Sequence, residues 1–144
     1  MTDVIPRGGA IVPGMAPTRL DEAAGLTVAD VMHSRFATMP ASAAVGEVRA
    51  WFASSVSHRM ALLADAGGRF AGSLLPDDVA GAEDGAAATS FARLAPTVAP
   101  GEPAARAEEL ALSTGSRRVP VVDGDGRLVG IVAVTTDLQE FCGT

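Results

Sequence analysis

Two stretches of this chain are copies of one another, and this limits the fold more than any other feature. The stretch from His58-Arg59-Met60 through Asp65-Ala66-Gly67-Gly68-Arg69 to Gly72 returns as Arg117-Arg118-Val119 through Asp123-Gly124-Asp125-Gly126-Arg127 to Gly130. Asp65, Gly68, Arg69 and Gly72 recur 58 positions later as Asp123, Gly126, Arg127 and Gly130. Thr38, Arg59 and Asp78 recur as Thr97, Arg118 and Asp137 at a spacing of 59. The first copy thus holds one extra residue in its first strand, and the second holds one after its second strand. A repeat of this length marks one supersecondary unit used twice.

Each repeated stretch reads as a β-hairpin. In the second, the apolar runs Val119 to Val122 and Leu128 to Val132 flank Asp-Gly-Asp-Gly. Glycine takes positive φ without steric cost and Asp tolerates it, so the short loop can reverse the chain. Near-continuous apolar runs point to strands covered on both faces. Before the first hairpin, Val45, Val48, Phe52 and Val56 fall at helical spacing beside Trp51, which predicts a helix over 43–55. Thr27 with Asp30 three residues on is a helix start. Phe36 to Met39 reads as a strand ended by Pro40, and Pro76 opens a short helix through Ala80. In the second copy, Phe91 to Leu94 reads as a helical piece, Thr97 to Ala99 as a strand, 102–113 as a helix and Thr135 to Phe141 as a final helix. The expected organisation is an arm over 1–25, flexible and rich in Gly and Pro, a first unit over 26–82, a linker over 83–89 and a second unit over 90–144. The fold class is α+β: two βαββα repeats related by a pseudo-two-fold. A unit of roughly 50 residues is marginal alone, so the two are expected to bury their sheets together.

Composition narrows the function. The formal net charge is −6, which argues against broad attraction to nucleic acid. No apolar run approaches the ~20 residues of a membrane span. The Pro- and Gly-interrupted start is a poor signal peptide. One cysteine, Cys142, excludes an internal disulfide and leaves the cytoplasm as the expected compartment. Two His and one Cys lie without metal-ligand spacing, no Ser-His-Asp or Cys-His arrangement is visible, and Gly124 and Gly126 lack the Lys of a P-loop. An enzyme is therefore not expected.

The order of elements and several motifs resemble a tandem pair of CBS domains, also called a Bateman module. The second copy carries the resemblance most clearly, in Thr97-Val98-Ala99-Pro100, Ser116-Arg117-Arg118-Val119-Pro120-Val121-Val122-Asp123, Gly130-Ile131-Val132 and Thr136-Asp137-Leu138. The first copy carries Asp30-Val31-Met32, Thr38-Met39-Pro40, His58-Arg59 and Gly72 through Asp78. The resemblance implies a regulatory module without turnover. It would bind an adenosine-containing ligand (AMP, ADP, ATP or S-adenosylmethionine) in the clefts between copies, with no covalent cofactor. It also implies self-association, often as a flat dimer of pairs, and an unidentified protein target.

The same resemblance nominates residues. Asp78 and Asp137 match the family's aspartate at the start of the last helix. A carboxylate offers two acceptor oxygens to adjacent ribose hydroxyls; equally, it can cap its own helix. Arg59, Arg117 and Arg118 match phosphate-contacting positions, where the guanidinium fork suits phosphate oxygens. Solvated or carboxylate-paired arginines are the alternative. His58 precedes Arg59 as in many relatives. Thr38, Met39, Thr97 and Val98 match the strand that borders adenine, or simply pack. Trp51 reads as a core residue or as part of an interface. Two departures stand out. The usual Ser or Thr three residues after the hairpin glycine is Leu75 in the first copy and Ala133 in the second, and neither can donate to a ribose or phosphate. Thr135 and Thr136 are the nearest hydroxyls. A module that only dimerises, with vestigial nucleotide sites, is the second reading.

Overall fold

The computed structural model describes residues 18–19, 25–114, 116–134 and 140–141. In chain order the elements are β1 (Thr18–Arg19), α1 (Val28–Val31), β2 (Met39–Pro40), α2 (Val45–Ala53), β3 (Ala61–Ala64), β4 (Phe70–Leu74) and α3 (Pro76–Val79). A 3₁₀ turn (Ala88–Ser90), α4 (Ala104–Leu112), β5 (Arg118–Val122), β6 (Leu128–Ala133) and β7 (Glu140–Phe141) follow.

One aspartate shapes each hairpin. Asp65 Oδ1 accepts the N–H groups of Gly67 and Arg69, both at 2.9 Å. Asp123 Oδ1 accepts those of Asp125 and Arg127 at the same distance. These Asx contacts hold a turn whose last glycine needs positive φ, +80° at Gly68 and +83° at Gly126. The strands pair antiparallel, and the register breaks at matching places, Leu63/Ala64 and Val121/Val122. Two hairpins with the same turn and the same irregularity are the duplication seen in three dimensions.

The two cores do not follow the two halves of the sequence. One packs Val45 and Val48 of α2, Ala61 and Leu63 of β3, Leu74, Val79 and also Ala88 of the linking stretch, with Ala92 of the second unit packed against it. The other packs Ala104, Ala107 and Ala111 of α4 with Val119, Val121 and Val132, and takes Val28 and Val31 of α1 from the start of the chain. Each unit therefore covers the other with its leading segment. Backbone bonds fasten the exchange. His33 and Ile131 trade N–H···O bonds at 2.8 and 3.0 Å, and Arg93 and Ser73 do the same at 2.9 and 2.8 Å.

The hairpin glycines make this approach feasible. A Cβ on Gly72 would sit 2.5 Å from Ala92 Cβ, and one on Gly130 would sit 2.7 Å from Met32 Sδ. The hairpin tips also meet: Phe70 N donates to Gly126 O at 2.9 Å and Leu128 N to Gly68 O at 3.0 Å. The pseudo-two-fold passes between Arg69 and Arg127, which face each other across this bridge.

Several local expectations shift. The α1 start is as read, with the Asp30 carboxylate accepting from Thr27 N at 2.8 Å. Helices α2 and α4 run within the expected ranges. The strand expected over Phe36 to Met39 is reduced to β2, Met39–Pro40; its last residue is Pro40, whose missing N–H an edge strand tolerates. The helical turn expected at 91–94 lies at 88–90 instead, since Arg93 is used in the β-bridge to Ser73. Thr97 to Ala99 forms only a single bridge, Val98 to Val121. The stretch 83–89 is bound rather than free: Val45 N and Gly46 N donate to Ala86 O and Asp84 O, both at 2.9 Å. Arg49 on α2 reinforces this by pairing with Asp84 and donating to Val79 O and Ala82 O. Within the stretch read as an arm, Thr18–Arg19 pair antiparallel with Glu140–Phe141. Those last two residues are therefore strand and not helix; the rest of 135–141 lies outside the described residues, as do Thr136 and Asp137.

Candidate functional site

The start of β3 and the start of β5 occupy equivalent places in the two units, and both open onto the space between them. Arg59 and Arg118 line one cleft there, of about 270 Å³. Phe36, Trp51, Met60, Leu62 and Ile131 give it an apolar lining. Arg59 is exposed and its guanidinium has no partner among the described residues. Arg118 donates from one nitrogen to Ser116 O at 3.0 Å. Two guanidinium groups over an apolar bed suit a flat ring that carries an anion.

A second cleft, about 340 Å³, adjoins the first through His58 and Arg59. Leu75, Pro76 and Asp77 at the start of α3 line its other side, with Ser116 of the second unit. His58 is committed locally. Its ring stacks on Trp51 with centroids 3.9 Å apart and planes 4° apart. Its Nδ1 lies 2.7 Å from Trp51 O, and because a carbonyl only accepts, the proton sits on Nδ1. The imidazole thus fixes the end of α2 and builds the cleft wall.

Asp78 is engaged on both oxygens. Oδ2 accepts the Leu75 N–H at 2.7 Å, which caps α3. Oδ1 accepts from the Arg93 guanidinium at 2.7 Å, and the Asp78 side chain is only 11% exposed. The capping role read from the sequence is therefore present. Arg93 was not legible as a site residue, because no spacing rule links it to Asp78; the exchanged segment brings it there.

The remaining nominees disperse. Thr38 and Met39 line a different cleft, of about 650 Å³, between the end of β2 and the Asp65–Gly68 turn. Val98 is buried in the second core, with its N–H and carbonyl both used in pairing to Pro120 and Val122. Thr97, beside it, lines none of these three clefts. Arg117 takes a φ of +58°, and its Nε is buried without a partner among the described residues. Trp51, Phe36 and Ser116 are cleft residues that the sequence did not mark as such. Among the described residues no cluster of His, Cys, Asp or Glu could hold a metal ion, and no helix is long and apolar enough to cross a membrane.

This architecture is that of a CBS-domain pair. Residues 93–136 match the model of the CBS domain, and solved structures resemble the chain over most of its length. The cystathionine beta-synthase pair domain from Shewanella oneidensis MR-1 superposes with a TM-score of 0.67 at 15% identity, over 74% of this chain and 64% of that one. The CBS-pair protein CBSX2 from Arabidopsis thaliana does so with a TM-score of 0.65 at 23% identity, over 76% and 89%; it is also known in complex with AMP. The cytosolic domain of the Mg²⁺ channel MgtE in complex with ATP gives 0.63 at 22% identity, over 78% and 46%. The chain spans less than two thirds of the Shewanella and MgtE structures. No curated protein matches the sequence. The CBS domain's sequence pattern is thus present over residues 93–136, and the chain has the fold of a CBS-domain pair.

Proposed function

We propose that this chain is a regulatory sensor that binds an adenine nucleotide in the cleft between its two units and does not transform it. The observation that carries this reading is the placement of Arg59 and Arg118. These are equivalent residues of the two repeats, facing one cleft with an apolar bed. An adenine would lie on that bed and the arginines would hold its phosphate. Because the arginines come from different units, a bound nucleotide ties the units together. It would shift the balance of conformations by whatever affinity difference it has between them. The AMP and ATP complexes of CBSX2 and MgtE support the ligand class. S-adenosylmethionine, which offers a cationic group where a phosphate would sit, fits the two arginines less well. In this reading the protein is a cytoplasmic homodimer that passes the ligand state to a protein target.

Titration calorimetry with AMP, ADP, ATP and S-adenosylmethionine tests the proposal. Saturable binding of at least one nucleotide, weakened at least ten-fold in Arg59→Ala/Arg118→Ala, is expected. Absence of heat from all four at millimolar ligand would overturn it. That result would favour the second reading, a ligand-free dimerisation module, which the engaged oxygens of Asp78 support.

A further inference from the structure

The bridge between the hairpin tips places two like charges side by side. Phe70 N donates to Gly126 O at 2.9 Å and Leu128 N to Gly68 O at 3.0 Å. Arg69 and Arg127 between them therefore form the non-hydrogen-bonded pair of an antiparallel bridge. In such a pair the Cα atoms stand about 4.5 Å apart and both side chains leave on one face. The foot of each arginine is fixed, because its N–H donates to the turn aspartate, Asp65 or Asp123, at 2.9 Å. Arg69 leans across the bridge, with its Nε 3.4 Å from Asp125 O on the other hairpin. Both arginines are exposed. Among the described residues neither guanidinium makes an ion pair, whereas those of Arg49, Arg93 and Arg106 do. The nearest carboxylates do not neutralise them: Asp65 and Asp123 turn Oδ1 into their own loops, and Asp125 meets Arg69 through its carbonyl. Like charges directly opposed on one face work against stability. In a chain of formal net charge −6, this pair is a local reversal of sign without an internal counter-charge.

We infer that Arg69 and Arg127 form a binding site for a phosphate dianion where the hairpin tips meet, separate from the cleft of Arg59 and Arg118. Each guanidinium fork matches two oxygens of a tetrahedral phosphate. One dianion held between the two arginines replaces their repulsion with two attractions. Each unit supplies one arginine, so the ion is also a tie between the units at the axis that relates them. The group recognised is the phosphate dianion itself, as the free ion or on a small monoester. A second copy of this chain docked by a two-fold contact does not fit the spot, since it would bring two more arginines to it.

Thermal melting of the full chain in potassium phosphate and in potassium chloride of equal ionic strength tests the site, with glycerol phosphate as the monoester arm. Phosphate at about ten times its dissociation constant should raise the melting temperature by about 3 °C over chloride. Arg69→Gln/Arg127→Gln should lose that rise. A matching rise with glycerol phosphate assigns the site to phosphate monoesters, and a rise with phosphate alone assigns it to the free ion. In chloride at low salt, Arg69→Gln and Arg127→Gln should each melt no lower than the unaltered chain, because an opposed like charge has been removed. A purely structural pair gives the reverse order, so a glutamine variant that melts several degrees lower in chloride would overturn the inference. Equal melting of the unaltered chain in all three salts would do the same. So would a phosphate response that Arg69→Gln/Arg127→Gln keeps and Arg59→Ala/Arg118→Ala loses, which places the ion in the cleft. Nucleotide calorimetry does not enter this test, so the sensor reading and the tip site fail separately.

Discussion

The two units share a turn, a bulge and a pattern of exchange, yet they fill their interiors differently. The first core mixes Leu63 and Leu74 with valines and has Trp51 and Phe52 packed against it. The second is made of valine and alanine, with Ala104, Ala107 and Ala111 forming the buried face of α4. A hydrophobic core tolerates many side-chain sets of similar total volume. Turn geometry and close backbone approach do not offer that latitude. What the two copies keep in common is accordingly Asp65/Asp123, Gly68/Gly126 and Gly72/Gly130, while the packing residues have drifted. The CBS-domain sequence match falls on residues 93–136, within the second unit and its approach.

That comparison can be broken most directly at the paired glycines. Gly72 combines a φ of +132° with a Cβ position 2.5 Å from Ala92 Cβ, whereas Gly130 is crowded by Met32 Sδ at 2.7 Å and His33 O at 2.9 Å without a positive φ. Gly72→Ala should therefore cost about 3 kcal/mol or more in urea unfolding. Gly130→Ala should cost less, since the thioether can move aside and only the carbonyl resists. Equal losses would show that backbone strain is not what separates them.

The turn aspartates come next. Asp65→Ala and Asp123→Ala each remove an acceptor shared by two N–H groups. Each should cost about 1–2 kcal/mol, and the two losses should agree. A clear inequality in their denaturation midpoints would mean that the matching turns carry different loads.

The smallest contrast lies on the helices. Arg49 ties α2 to Asp84 and to the carbonyls of Val79 and Ala82, while the equivalent residue of α4, Glu108, makes no such bond among the described residues. Arg49→Ala should lower stability by about 1 kcal/mol. Glu108→Ala should stay within about 0.5 kcal/mol. Melting curves of the two variants that coincide would remove Arg49 from the account.

The repeat, the hairpins and their turns were legible because spacing and Asp-Gly chemistry are local. The helices were legible from their apolar period. The exchange of leading segments was not, because α1 and Ala92 look like ordinary parts of their own units until the chain is folded. That single non-local fact explains the misplaced helical turn at 91–94 and the binding of 83–89. It also decides the site. The resemblance nominated Arg59, His58 and Asp78; Arg59 and His58 share a cleft, whereas none of the three clefts described above includes Asp78. Its partner Arg93 comes across from the other unit, so no reading along the chain could foresee that Oδ1 was taken.

Because each unit lends its first segment to its sibling, neither owns a complete interior. A fragment cut between them would carry an apolar seat it cannot fill and a donor segment with nowhere to go. Two such fragments could satisfy one another by trading those pieces. This geometry makes the chain a candidate for domain swapping if it is ever divided, and it makes separate melting of the two units unattainable in the intact molecule.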